Sequence, residues 1–570
     1  MTLEATIAVA RGEEPADLLL KNAQLVNVLS GEIHAADIAI YDGKVVGLGE
    51  YSASQTVDLK GKFVCPGFMD AHVHLESSMV QPAEFARAVV PLGTTSVICD
   101  PHEIANVQGL DGVQYILDAS EGLPLQVYVM VPSCVPATHM ETAGAELTAA
   151  DVATLLGRDR VLGLAEMMNF PGVLYRVPEV LEKIKAAGDR PVDGHAPGLS
   201  GLDLNAYVAA GIGSDHECTT LEEAREKLRR GMHILIREGT TARNLHALLP
   251  LVTPANARLC HFCTDDRHPD TLLDANQGHL DDVVRKAIAW GLDPVTAIQM
   301  ASINTAEYFQ LRGVGAIAPG YRADILVLDD LEAVRIAQVY AAGELVAEKG
   351  SMLASRADFR QVPLQPSVHV DLTALDFSIA AGEGSARVIG VIPEQVVTEE
   401  LRLEPTIENG YAVSDPARDL LKIAVIERHH RTGNVGLGLV HGVGLKRGAI
   451  ASSVAHDSHN LVVIGTSDDE MKAAVAAITE MGGGQVVIAG GEVQASCPLP
   501  IAGLMSDQPL EAVAAQVESL TRASRELGCT LPDPLMTMSF LALAVIPSLK
   551  LTDLGLVDVG RFEIVPLFGE

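Results

Sequence analysis

The sequence predicts an α/β protein built on a TIM (β/α)8 barrel, with a small β-sandwich made from both flanks of the barrel and a C-terminal α+β domain. Three observations carry that expectation. Apolar strand-like runs alternate with helical patterns from residue 61 to beyond residue 300, and eight such units match the ~250 residues of a typical barrel. The segments on either side of the alternation read as short strands with turn signals, the pattern of hairpins. At 570 residues the chain also exceeds one ordinary core, so two or three domains are expected.

Residues 18 to 64 carry the first hairpin texture, with turns at "SG" and "DG". The alternation then runs "FVCPGFMDAHVHL" with "PAEFARAVVPLG", "TSVICDPH" with "VQGLDGVQYILDASEG", and "LQVYVMVPSC" with "TAADVATLLGRD". It continues with "RVLGLAEMM" and "PEVLEKIKAAGD", "PVDGHAP" and "LDLNAYVAAG", "GIGSDHE" and "LEEAREKLRRG", then "HILIREG" and "ARNLHALLPLV". The eighth strand is "ARLCHFCTDD", followed by "LDDVVRKAIAWG" and "PVTAIQMASINTAEYF". Several of these helices end in glycine, the usual C-terminal cap. A doubly wound open sheet competes, but eight regular repeats favour closure. Strand texture returns in "GYRADILVLDDLEAVRIAQVYAAGELVAEKG" and can meet the N-terminal hairpins as one sandwich. The expected bounds are therefore 1–64 and 311–365 for the two sandwich parts, 65–310 for the barrel and 366–570 for the C-terminal domain. In that last region "GGGQVVIAGGE" and "GNVGLGLVHGVG" satisfy neither GxGxxG nor GxxxxGK[ST] and read as glycine turns.

Hydrophobic residues make up 48% and charged residues 20%, the balance of a soluble globular protein. The net charge of −33 repels polyphosphates and anionic membrane surfaces, so neither nucleic acid nor membrane is an expected partner. The N-terminus carries acid where a secretory signal needs base. Eight scattered cysteines make no disulfide framework, and Cys260 and Cys263 fall on opposite faces of a strand. The expected compartment is the cytoplasm.

Barrels of this kind place their chemistry at the C-terminal strand ends. There the sequence puts His72 and His74 (strand one), Glu166 (four), His195 (five), His216 (six) and Asp265 (eight). His72 and His74 share a face because side chains alternate along a strand. Four imidazoles and two carboxylates exceed the needs of one tetrahedral ion. They suffice for two divalent ions sharing a bridging carboxylate, with a position open for water.

"PGFMDAHVHLE", one histidine from each of strands five and six and the strand-eight aspartate together resemble the amidohydrolase superfamily. Within it, "DAHVHLESSM", "CDPHEIANV", "GLAEMMNFPGV", "DGHAPGLSG", "GSDHE", "DDRHPD" and the later "SSVAHDSHNLVVIG" resemble the adenine deaminase family over nearly the whole chain. The resemblance implies hydrolysis of adenine to hypoxanthine and ammonia in purine salvage, with adenine and water as the small-molecule partners. It further implies two divalent ions, Mn2+ first, then Fe2+ or Zn2+, and a homodimer. Hydantoinase-like relatives bridge their metals with a carboxylated lysine from strand four; here "GLAEMMN" offers Glu166 instead. The zinc cytidine-deaminase type needs a PCxxC that this chain lacks.

On that analogy Glu166 bridges the ions and passes a proton towards N1. Asp265 shuttles the water proton to the leaving amine, and His216 polarises as well as ligates. His102, Glu103, Glu238 and His268 are candidate purine readers, with Arg237 on the same rim. "AHDSHN" (His456, Asp457, His459) reads first as a hydrogen-bonded turn, and as a shield if the C-terminal region covers the barrel mouth. Another cyclic-amide or aminopurine hydrolase is the alternative, and a metal-free scaffold the remote one.

Overall fold

The computed structural model describes residues 2–274, 276–353, 362–393 and 395–569. Its centre is a barrel of eight parallel strands. Strands one to five (Phe68–Val73, Thr94–Cys99, Gln126–Val131, Val161–Met167, Val192–Gly194) form one parallel sheet in sequence order. Strands six to eight (Ser214–Asp215, His233–Arg237, Cys260–Cys263) form a second. Two seams join these arcs into a ring. Gly213 donates to the Val192 carbonyl on one side. On the other, Asp265 donates to the carbonyl of His72, and His74 donates to that of Asp265.

The strand runs are continuously apolar because both faces are covered. Ala71, Ile98, Met130, Ala165, Leu235 and Cys263 fill the barrel interior, and Phe309 packs beside them. Cys260 belongs to the larger core between barrel and helices, so the two cysteines of the CxxC face opposite sides. Proline opens several helices, among them Pro82–Val89, Pro178–Ala187 and Pro294–Met300, where its missing N–H is no loss. Thr148 and Asp151 form a reciprocal capping box at Ala149–Leu156.

Three elements differ from the sequence reading. The run "FVCPGFMDAHVHL" is two strands, broken at Gly67, where a Cβ would lie 2.1 Å from Thr95 Oγ1. The helix expected at "VQGLDGVQYILDASEG" starts earlier, at His102, and kinks at Gly109, whose φ of +58° favours glycine. "ARNLHALLPLV" gives only a turn of helix, Leu245–Leu248, because Pro250 cannot donate the next hydrogen bond.

The two flanks meet in one nine-stranded sheet. Phe63–Pro66 pairs antiparallel with Ile325–Asp330 and parallel with Ala16–Asn27. Leu20, Ile38, Val64, Ile325 and Val327 share its core. The C-terminal region is an eight-stranded sheet with helices Asp468–Met481 and Leu510–Glu526 packed on it. It rests on the barrel mouth. Ser506 donates to the Met79 carbonyl, Thr552 to Met140, and Leu510 to the Glu84 carboxylate.

Candidate metal centre at the barrel rim

The strand ends bring all six rim residues into one cluster, five of them buried and His195 half-buried. Its hub is Glu166, at the end of strand four. One carboxylate oxygen, Oε1, lies 3.4 Å from His74 Nε2 and 3.8 Å from His72 Nε2. The other, Oε2, lies 2.6 Å from His195 Nδ1 and 3.2 Å from His216 Nε2. Asp265 Oδ1 closes the first half at 3.1 Å from His74 and 3.5 Å from His72. The same carboxylate thus addresses two separate histidine pairs, the arrangement a bridging ligand needs.

Local structure holds each group. Asp70, within strand one, accepts from the backbone N–H of His72 and of Thr264, tying strands one and eight together below the rim. Gly194 lets strand five approach strand six, since a Cβ there would sit 2.3 Å from the Ser214 carbonyl. Buried Lys227 donates to Asp215 and to the Ala196 carbonyl, fixing the loop after His195 to the strand bearing His216. His74 Nδ1 donates to the Asp100 carbonyl at 2.9 Å. A carbonyl can only accept, so the Nε2 lone pair of neutral His74 faces the cluster. Asp265 has a left-handed φ of +58°, conformational strain of the kind found at active sites.

The electrostatics follow from burial against close partners. Burial pushes the Glu166 and Asp265 carboxyls up, but His195 and His216 outweigh it for Glu166, and Arg237, His72 and His74 for Asp265. Both are held well below the usual carboxylate range and are ionised. His216 is pushed up to about 9, with Glu166 overcoming its burial. The donor set of imidazoles and ionised carboxylates, without thiolate, suits a divalent cation. A buried orphan atom, His216 Nδ1, also lies in the cluster.

The four candidate base readers separate. His102 joins the rim, with Nδ1 3.4 Å from Glu166 Oε1 and 3.3 Å from Asp100 Oδ2. Glu103 lies next to it, 3.5 Å from His102 Nε2, and is gripped by His456 and His459 of the C-terminal domain. Glu238 turns away from the cluster to Lys286 at 3.1 Å and to the Leu245 N–H. His268 faces the C-terminal domain beside Asp533, Leu535 and Met536. The structure adds Glu217, which pairs with Arg237 and sits 3.4 Å from His216 Nε2. Its signal was its place directly after His216 in "GSDHE".

Two family models match the chain: the amidohydrolase family over residues 63–346, and the adenine deaminase C-terminal domain over residues 395–563. A protein named adenine deaminase from Desulfatibacillum aliphaticivorans is 57% identical over 567 residues, covering 99% of each chain. One named adenine deaminase from Oleidesulfovibrio alaskensis is 53% identical, covering 100% of this chain and 99% of that protein. Adenine deaminase 2 of Carboxydothermus hydrogenoformans is 52% identical, covering 98% of each.

Proposed function

The chain belongs to the adenine deaminase family of amidohydrolases, and from that premise we propose how its own residues carry out the reaction. The enzyme hydrolyses adenine to hypoxanthine and ammonia. The observation that carries the residue assignment is the Glu166 carboxylate, whose two oxygens face two different histidine pairs. His72, His74 and Asp265 would hold one divalent ion, His195 and His216 the other, with Glu166 between them. Two such ions supply the Lewis acidity that makes water nucleophilic near neutral pH. Mn2+ is the metal proposed, with Fe2+ and Zn2+ compatible with the same donors.

The remaining difficulty is proton traffic. Attack of water at C6 needs a base for the water proton, a proton at N1 to receive the ring electrons, and a proton on the departing amine. Asp265 is ionised and buried, and Arg237 Nη1 fixes its other oxygen at 2.7 Å. It takes the proton from the attacking water and delivers it to the amine. Glu166, ionised at rest, accepts the other proton of the attacking water and relays it towards N1, and His216 orients the group attacked. Closure under the C-terminal domain excludes bulk water from these transfers.

The lysine that a carboxylated bridge requires has no counterpart at the end of strand four, which separates this chain from the hydantoinase-like reading. No described helix is long and apolar enough to cross a membrane, and all eight cysteines are free, which supports a reducing compartment. The reading is of a cytoplasmic homodimer acting on the free base. Ammonia release from a panel of purines and cyclic amides, by apoenzyme and with added Mn2+, tests it. Adenine is expected to be turned over only in the metal-loaded state, and preference for a cyclic amide would overturn the reading.

A further inference from the structure

The loop between strands Ala449–Ser452 and Leu461–Gly465 of the C-terminal sheet reaches down to the barrel mouth. It is rigidly held. The buried Arg428 guanidinium donates to the carbonyls of His459, Ser367 and Ala502. Asn460 donates to the Thr142 carbonyl on the barrel loop, and His429 to the Ser458 carbonyl. His456 stacks on Phe540 at 4.6 Å between centroids. From the barrel side Glu103 meets this loop, accepting from His456 Nδ1 at 2.8 Å and from His459 Nε2. A single imidazole, His102, separates Glu103 from Glu166.

Two atoms of this held loop have no protein partner: His456 Nε2 and Asp457 Oδ2. Both residues are buried, 5% and 3% exposed. Leaving such groups unpaired is costly, and native structures rarely tolerate it without a reason. Through Glu103 and His102 the loop stands two side chains from Glu166, at successive distances of 2.8, 3.5 and 3.4 Å. We propose that His456 and Asp457 are specificity residues that bind the edge of the base opposite the attacked carbon, His456 Nε2–H donating to N3 and Asp457 accepting from N9–H.

The proposal rests on the deaminase reading and extends it to the substrate's far side. In adenine the ring atom across from C6 is N3, an acceptor, and N9–H beside it is a donor. Consecutive residues of the loop offer the complementary donor and acceptor. His456 is a donor at both nitrogens because Nδ1 must donate to the Glu103 carboxylate, whose charge outweighs burial and lifts the imidazole to about 9. A substituent on N9 would remove the donor and collide with the loop, which confines the site to free bases.

Adenine, 3-deazaadenine and 9-methyladenine, assayed with wild type, His456→Gln and Asp457→Asn at equal metal content, test this. Wild type is expected to lose about 10- to 100-fold in kcat/KM on each analogue, the loss typical of one missing hydrogen bond to a charged group. His456→Gln should lose about 10-fold on adenine, mainly in KM, yet lose nothing further on 3-deazaadenine. Asp457→Asn should behave likewise towards 9-methyladenine. Equal reduction on all three bases would mean a structural role and overturn the proposal. So would wild type that ranks the three bases equally, a result that decides alone if a variant fails to fold. Wild type that is inactive on adenine but active on another substrate would sink the deaminase reading instead.

Discussion

Two clusters in this molecule have the same composition and opposite characters. Glu166 stands between histidines of the barrel, and Glu103 stands between His456 and His459 of the C-terminal domain. Either set of side chains could hold a metal ion by type and spacing alone. Their outer hydrogen bonds distinguish them. His74 Nδ1 donates to a backbone carbonyl, so the neutral ring carries its lone pair on Nε2, towards Asp265 and Glu166. His459 Nδ1 accepts from the Ala455 N–H at 3.2 Å, so its proton must sit on Nε2, which then donates to Glu103. A nitrogen carrying a proton cannot ligate. The first cluster can offer a lone pair to a cation and the second holds a carboxylate, and the difference lies one hydrogen bond beyond the residues a motif search counts.

The largest effect that sharpens this contrast is at Asp265. Asp265→Asn keeps the size and one liganding oxygen but cannot accept the water proton, and kcat should fall by roughly 10² to 10⁴ with metal content nearly unchanged. His72→Asn should lose metal first and recover part of its activity in excess Mn2+. Equal rescue of both variants by metal would show that Asp265 only ligates. Next comes stoichiometry. Metal analysis should saturate at two ions per chain in wild type and lower in Glu166→Gln, whereas Glu103→Gln should retain both. A third tightly bound ion that disappears in Glu103→Gln would erase the distinction between the clusters.

A smaller effect is expected at His459. His459→Gln should raise KM for adenine by about 10-fold, within the range for groups that orient a ligand's partner, with kcat and metal content little changed. A kcat loss without a KM change would assign His459 to the chemistry instead.

The smallest effect is on stability against pH. Burial lowers His459 to about 4 from an ordinary 6.5. Its contribution is present above pH 6.5 and is lost as pH falls towards 4, because the unfolded chain takes the proton first. His456 is raised to about 9, with Glu103 outweighing burial. Its contribution is full below 6.5 and is lost as pH rises through 9. Glu103, Asp457, Asp266 and Arg428 are charged or titratable groups acting on the pair. The contribution of the pair to thermal stability should therefore peak near pH 6.5. Gln at both positions should flatten the profile by roughly 2–4 °C on each side, as calorimetry can measure.

Much of the rim was legible because its residues end strands, and strand ends of a barrel share one face. Parity alone also separates Arg237 from Glu238. Leu235 points into the barrel, so Arg237 points to the rim and Glu238 outward, to Lys286. Glu217 was overlooked because the strand before it is only Ser214–Asp215, too short to carry a periodicity. The partnership of Glu103 with His456 and His459 spans more than 350 positions. It depends on how two domains dock, and no local pattern encodes that. "AHDSHN" is a turn, as its texture suggested, but a turn whose side chains complete another domain's surface.

That arrangement sets an order of events during synthesis. The barrel strands and their six rim residues leave the ribosome by residue 265, whereas the covering loop follows only at residues 456 to 460. At translation speeds of roughly 5–20 residues per second, the rim stands open to the surrounding solution for roughly ten seconds or more. An ion meeting the chain in that interval would find the rim uncovered, whereas one added to the folded protein must pass the docked domain.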